Sequence, residues 1–421
     1  MTGVGVLSAA GRGLAALTTA ATHGRATFGA VTRFDVSARR TTRAALLPAD
    51  LLPADLLPAD LLATDLPADD LPTDPLRSDP VLSDPVRSDA PGRDTPGPDA
   101  PVPEATPTTG AVPSAAAMLD AIGQACRQAG LTATEGAALP VLLALHSDER
   151  TRATADAVAA GVRADWGAAG VTRVYTGACV AAATAVADAA ALVATGRHER
   201  VLVAAVHLVG PGVFAVFDAG RALARDGELR PFSAGRTGTL LADAAAAVVV
   251  EAAPAAERRG APALARLAGW GRTGDAHHVC RPEPDGTGVA RAVEAALARA
   301  GVAPAEVGYV NANATGSDLS DQAEARALRR VFGPHTDHLP VSSSKSVHGH
   351  ALEASALLEL AVTIGALDSG LLPVNAGWLG PDPDVGLDLV LDGPRAARPA
   401  YALSLNSAFG GANTALLLAP G

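Results

Sequence analysis

Residues 174–207 read VYTGACVAAATAVADAAALVATGRHERVLVAAVH, and three kinds of segment follow one another there without a break. VYTGAC is a short strand running into a turn at Gly177; VAAATAVADAAALVATG is a helix of small residues closed by Gly196; RVLVAAVH is an unbroken apolar run of strand length. The alternation continues downstream. AAAAVVVE reads as a strand, VARAVEAALARAG as an amphipathic helix with Val289, Val293, Ala296, Leu297 and Ala300 on one face, and VGYVN as another strand. Then come the strand LPVSSS, a long helix from about 351 to 367, and strands around LVLD, YALSLNS and NTALLLA. Such alternation predicts a layered α/β fold with mixed sheets.

The chain has 421 residues, 48% of them hydrophobic, enough to bury a large core as one domain or two fused halves. It has no apolar run of the roughly eighteen residues a membrane span needs, and MTGVGVLSAAGRGLAAL lacks the basic start and cleavage pattern of an export signal. A cytoplasmic address is the expectation. Cys126, Cys179 and Cys280 are odd in number and far apart, which excludes a disulfide framework and CxxC-type zinc spacing.

The formal charge of -11 is concentrated in one place. Between Pro48 and Pro113 stand twelve Asp and Glu104 against Arg77, Arg87 and Arg93, so 13 - 3 leaves a net of -10 there. The remainder is near neutral and carries no basic stripe for nucleic acid. From Ala49 the run LLPAD, LLPAD, LLATD, LPADD repeats an Asp about every five residues, a period that fits neither helix nor strand. With its frequent Pro, residues 47–113 read as a disordered acidic insertion; the units are too short and Pro-rich for a solenoid.

Cys179 follows a strand and a tight turn and opens a helix. There the unpaired amides and the macrodipole favour a thiolate. An inert buried cysteine is the competing reading. Further segments narrow the choice: RPFSAGRTGTLLADAAAAVVVE, YVNANATGSDLSDQAEARAL, VSSSKSVHGHALEASALLEL and LSLNSAFGGANTALLL, in that order. These blocks resemble those of the β-ketoacyl synthases, the condensing enzymes of fatty-acid and polyketide assembly, where the nucleophilic Cys is followed by RPFD, a GEGA-like block, VNAHGTGT, SSxKSxxGH and NSFGFGGxN. The opening MTGVGVLSAAG and FDVSARR also resemble the family, so the likeness covers roughly 1–45 and 115–421.

The resemblance implies a thiolase-like fold: duplicated βαβαβαββ halves in five αβαβα layers. Residues 1–46 would begin the N-terminal half, 114–255 complete it, and 256–421 form the C-terminal half. It implies that Cys179 carries an acyl group, that His350 donates to the thioester oxygen of the extender, and that Lys345 holds the hydrogen-bond network. Lys345 is the only lysine in the chain, and an ammonium and a guanidinium are not interchangeable. Amides of Cys179 and Phe409 would form the oxyanion hole, with Phe409 as gate; a plain glycine hairpin is the other reading of that loop. Asp243, in the place of the family's Glu, would support the site by reaching Lys345. Asp321 and Glu324 match an acidic pair of the family, or are simply acids in a helix's first turn.

The main departure is Asn313, where the family has its first active-site histidine, with Ala314 for the next glycine. An amide donates a hydrogen bond but cannot carry a proton near neutrality. The resemblance therefore leaves open an acyltransferase that condenses with malonyl carrier protein, one that only passes acyl groups on, and a non-catalytic chain-length-factor-like subunit. Cys179 speaks against the last, and the shortness of the stretch between Leu145 and Cys179 speaks for it. The expected partners are an acyl carrier protein, docked at arginines around the Cys179 entrance, and a second copy or a paralogue in a dimer. No cofactor is expected beyond the carrier's phosphopantetheine.

Overall fold

The computed structural model describes residues 1–52 and 112–421. Two mixed sheets carry the chain, and they repeat one topology. In the first, Gly3–Ser8 pairs antiparallel with Ala244–Glu251, which pairs antiparallel with Arg200–His207, which runs parallel to Val141–Ala144, itself parallel to Val171–Tyr175. In the second the order is Ala265–Gly274, Ala412–Pro420, Tyr401–Ser407, Val307–Asn311 and Val341–Ser342, with the same succession of two antiparallel and two parallel pairings. A duplicated half is the economical cause of such a match.

Between the sheets lie the helices Ala181–Ala194 and Ser355–Ser369, each packed on strands of both sheets. Their sequences are apolar or small nearly all round, as a helix with no solvent face requires. Outside the first sheet are Pro113–Gln128 and Thr151–Trp166; outside the second, Thr287–Ala300 and Asp318–Phe332. These four are amphipathic. Five layers result, as the family resemblance implies.

The duplication reaches single residues. A Cβ on Gly3 or Gly5 would lie 2.0 or 1.9 Å from the carbonyl oxygens of Ala125 and Ala121, and one on Gly269 or Gly271 would lie 2.2 or 1.9 Å from those of Ala296 and Ala292. In each half the first strand therefore alternates glycine so that the outer helix can lie against the backbone.

Most of the strands fall where the sequence places them, but LVLD does not become one. Its Leu389 makes only an isolated bridge to Val341, because Asp388 turns back to a two-point pair with Arg395 at 2.6 and 2.9 Å. The long helix starts later than 351, at Ser355, after a tight turn Leu352–Ala354. Of the expected acidic insertion, 53–111 lies outside the described residues. Its first residues belong to the core instead: Leu47 and Leu52 are buried against the outer helix Pro113–Gln128, so the ordered half extends past residue 46.

Candidate active site

The strand Val171–Tyr175 ends in a turn where Ala178 takes φ +50°, and this kink turns Cys179 toward the second half before the central helix begins at Ala181. A non-glycine residue at positive φ is strained, and such strain gathers at functional sites. From the other half the segment after Val341–Ser342 returns His350. Its backbone is gripped on both sides by the strand-like run 240–242: His350 N–H donates to Leu240 O at 2.8 Å, and Ala242 N–H to His350 O at 3.0 Å. The result is a contact of 3.2 Å between His350 Nε2 and Cys179 Sγ. His350 Nδ1 meets Ser355 Oγ at 2.9 Å, at the start of the central helix.

Burial first, and then the carboxylate of Glu353, push the Cys179 thiol up to about 12, against the opposing charge of Lys345. Burial and then the charges of Lys345 and His207 hold His350 well below its ordinary value. The resting pair is thus neutral thiol and neutral imidazole. The helix start is where the sequence places it, and burial of the sulfur opposes the thiolate that this position favours.

Asn313 lies on the loop after Val307–Asn311. Its side-chain Oδ1 accepts from Lys345 Nζ at 3.2 Å. Lys345 is fully buried and forms an ion pair with Glu359 of the central helix at 2.6 Å; Glu359 in turn accepts from Asn406. Glu359 was not singled out from the sequence. Its only signal is one acid inside the apolar run LLELAV.

Asp243 does not reach Lys345. Its oxygens accept from the backbone of Val209 at 2.7 Å and Leu47 at 2.8 Å, and Arg33 pairs with it at 2.5 Å. It fastens the 45–47 segment to the first sheet. Asp321 and Glu324 are more than first-turn acids: Glu324 accepts the backbone N–H groups of Asn313 and Ala314 at 2.7 and 2.8 Å, and Asp321 those of Thr315 and Phe232 at 3.1 and 2.8 Å. Together they hold the loop that presents Asn313. Burial raises both carboxyls, to about 7 for Asp321 and about 8 for Glu324, with the amide donors opposing.

Cys179, Asn313 and His350 line one cavity of about 540 Å³. Phe409 lines it too, half exposed on the hairpin tip between Tyr401–Ser407 and Ala412–Pro420, with its ring 5.9 Å from that of Phe217. The loop is a glycine hairpin, and its tip carries an aromatic ring that lines the cavity. The exposed Arg40, Arg221, Arg225 and Arg281 share the lining.

The description "Beta-ketoacyl synthase, N-terminal domain" matches residues 121–256, and "Beta-ketoacyl synthase, C-terminal domain" matches 264–378. The chain belongs to the β-ketoacyl synthase family. Among its relatives, Nodulation protein E of Rhizobium meliloti (strain 1021) is 35% identical over 321 residues, 70% of this chain and 79% of that protein. The 3-oxoacyl-[acyl-carrier-protein] synthase 2 of Staphylococcus aureus is 32% identical over 261 residues, 61% of this chain and 65% of that protein. In fold the chain is similar to the ishigamide ketosynthase/chain length factor, at TM-score 0.80 and 22% identity over 100% of this chain and 98% of that one. It is also similar to a type II polyketide synthase acyl-carrier protein in complex with its ketosynthase bound to the hexaketide, at TM-score 0.79 and 20% identity, with coverage of 100% and 98%. Ketosynthases act in fatty-acid and polyketide biosynthesis, and this chain has their thiolase-like fold. None of its described helices is long and apolar enough to cross a membrane.

Proposed function

We propose that this ketosynthase-family chain is an acyltransferase that loads an acyl group onto Cys179 from the phosphopantetheine thioester of an acyl carrier protein. The observation that carries the reading is the 3.2 Å contact between His350 Nε2 and Cys179 Sγ at the wall of an open cavity. As the sulfur attacks the acyl carbonyl, His350 Nε2 takes the S–H proton. The carbon–sulfur bond to the carrier then breaks and that proton leaves with the carrier thiol. Because burial disfavours an imidazolium at His350, the proton is passed on rather than stored. Amides of Cys179 and Phe409 stabilise the tetrahedral oxyanion.

The second step is condensation with a malonyl carrier protein. Lys345 engages Asn313 Oδ1 and leaves the amide Nδ2 to donate to the extender's thioester oxygen. Ser355 Oγ can accept from or donate to His350 Nδ1, so it serves the tautomer in which His350 Nε2–H donates as well. CO₂ departs, its electron pair forms the enolate, and that carbon displaces Cys179 from the acyl group. A proton from solvent restores the thiol. With an amide at 313, which donates a hydrogen bond but carries no proton, this step runs about 10²- to 10³-fold below the rate that a histidine there would give. Acyl transfer alone is the limiting form of the same chemistry.

The partner is an acyl carrier protein, whose acidic surface suits Arg40, Arg221, Arg225 and Arg281. A complex of carrier and ketosynthase is known for the structural relative above, and a pairing with a second copy or a paralogue is part of the same proposal. Incubation with acyl and malonyl carrier proteins tests the reading. A ketoacyl product supports the condensing form, and an acyl adduct without product supports transfer alone. Neither adduct nor product would make the chain a non-catalytic chain-length-factor-like subunit.

A further inference from the structure

The parallel strands Val141–Ala144 and Arg200–His207 pair Ala144 with Ala205. Two residues beyond each partner stands a histidine, His146 and His207, so the register sets the two imidazoles side by side at the carboxyl ends of adjacent parallel strands. That end of an open α/β sheet is where ligand sites gather. The turn Leu352–Ala354, entered through Leu352 at φ +39°, delivers Glu353 between them. His146 Nδ1 lies 2.8 Å from one Glu353 oxygen and His207 Nδ1 lies 3.2 Å from the other. One donor atom from each of the three falls within 4.8 Å of the others.

We propose that His146, His207 and Glu353 are a binding site for a divalent transition metal of the zinc class, three residues along the chain from His350. Three features carry this. The donor set, two imidazoles and one carboxylate, is one that tetrahedral zinc accepts, with bonds of about 2.0–2.1 Å and a fourth position left for water. Nδ1 to carboxylate distances of 2.8 and 3.2 Å are already as short as the edges of such a tetrahedron. Access is one-sided: the His207 and Glu353 side chains are 2% and 4% exposed, whereas that of His146 is 39% exposed and leaves a path for the ion and its water.

Burying the Glu353 carboxylate costs the fold desolvation that a bound cation would offset. The cluster is separate from the Lys345, Glu359 and Asn406 chain, so it is not a duplicate of the ion pair already in the active site.

The test uses the full-length, tag-free protein, dialysed against excess zinc and then against buffer, with metal counted by mass spectrometry, and parallel cobalt loading followed by visible absorption. The expected result is about one ion retained per chain, with cobalt bands of a four-coordinate nitrogen and oxygen site and no sulfur charge-transfer band. Retention persists in a variant lacking the exposed surface donors, His277→Ala with His278→Ala and Cys280→Ser, and weakens about tenfold or more in Glu353→Gln and in His146→Gln. His146→Gln alters the most exposed of the three residues, and the cobalt spectrum of the unaltered chain depends on no variant folding. No retained ion, loss of the ion with the surface donors, or unchanged retention in both Glu353→Gln and His146→Gln would overturn the proposal and leave a hydrogen-bonded clamp only.

Discussion

His350 Nε2 stands 3.2 Å from Cys179 Sγ although 171 positions of chain separate the two residues. Each half of the duplicated fold supplies one of them, from the loops beside the two central helices. The thiol and the imidazole are therefore brought together by the docking of the halves, and neither half alone contains the pair.

The neutral state of that pair has a measurable consequence. With the Cys179 thiol pushed up to about 12, the thiolate fraction rises about tenfold per pH unit throughout the range from pH 7 to 9. Alkylation of Cys179 by iodoacetamide, followed peptide by peptide so that the exposed Cys280 is counted separately, should climb across that whole range. A plateau near neutrality would mean a resting thiolate.

Asn313 sits on a loop held by Glu324 and Asp321, so the position should tolerate a histidine without rebuilding its support. In Asn313→His the ketoacyl product formed from acyl and malonyl carrier proteins is expected to rise by about 10²-fold, with acyl loading changed little. Single-turnover assays of the two steps give the answer. An equal change in both steps would show that Asn313 does not act selectively in condensation.

Lys345 and Glu359 are both fully buried and pair at 2.6 Å. Removing one partner of such a pair strands the other charge. Lys345→Met should therefore lose about 3–5 kcal/mol of stability in urea unfolding, while Lys345→Met with Glu359→Gln should lose less than the two single variants summed. Additive losses would contradict the coupling.

Much of this was legible in the sequence, and the exceptions have physical causes. Arg200–His207, Ala244–Glu251, Val307–Asn311 and Tyr401–Ser407 form as read, because runs of strand length rich in apolar residues are buried along most of their length. Cys179, Asn313 and His350 share a cavity, with Lys345 fixing Asn313, as the motif order implies. The partner of Lys345 was not legible, since Asp243 and Glu359 are both plausible acids until the approach of Leu47 and Arg33 commits Asp243 elsewhere. The influences that oppose a thiolate at Cys179 were not legible for a related reason: the helix start is local and visible in sequence, whereas burial by Val209, Phe214 and Leu241 and the charge of Glu353 depend on the folded chain. His146 and His207 carry no spacing signal, and only the strand register sets them side by side.

The central claim is that Cys179, with His350 as its base, accepts the acyl group. Peptide-resolved mass spectrometry after a short incubation with an acyl carrier protein tests it most directly. The account predicts one acyl adduct, on the peptide bearing Cys179, formed at least about a hundredfold more slowly in His350→Ala. An adduct at Cys280 only, or Cys179 acylation at an unchanged rate in His350→Ala, would contradict it.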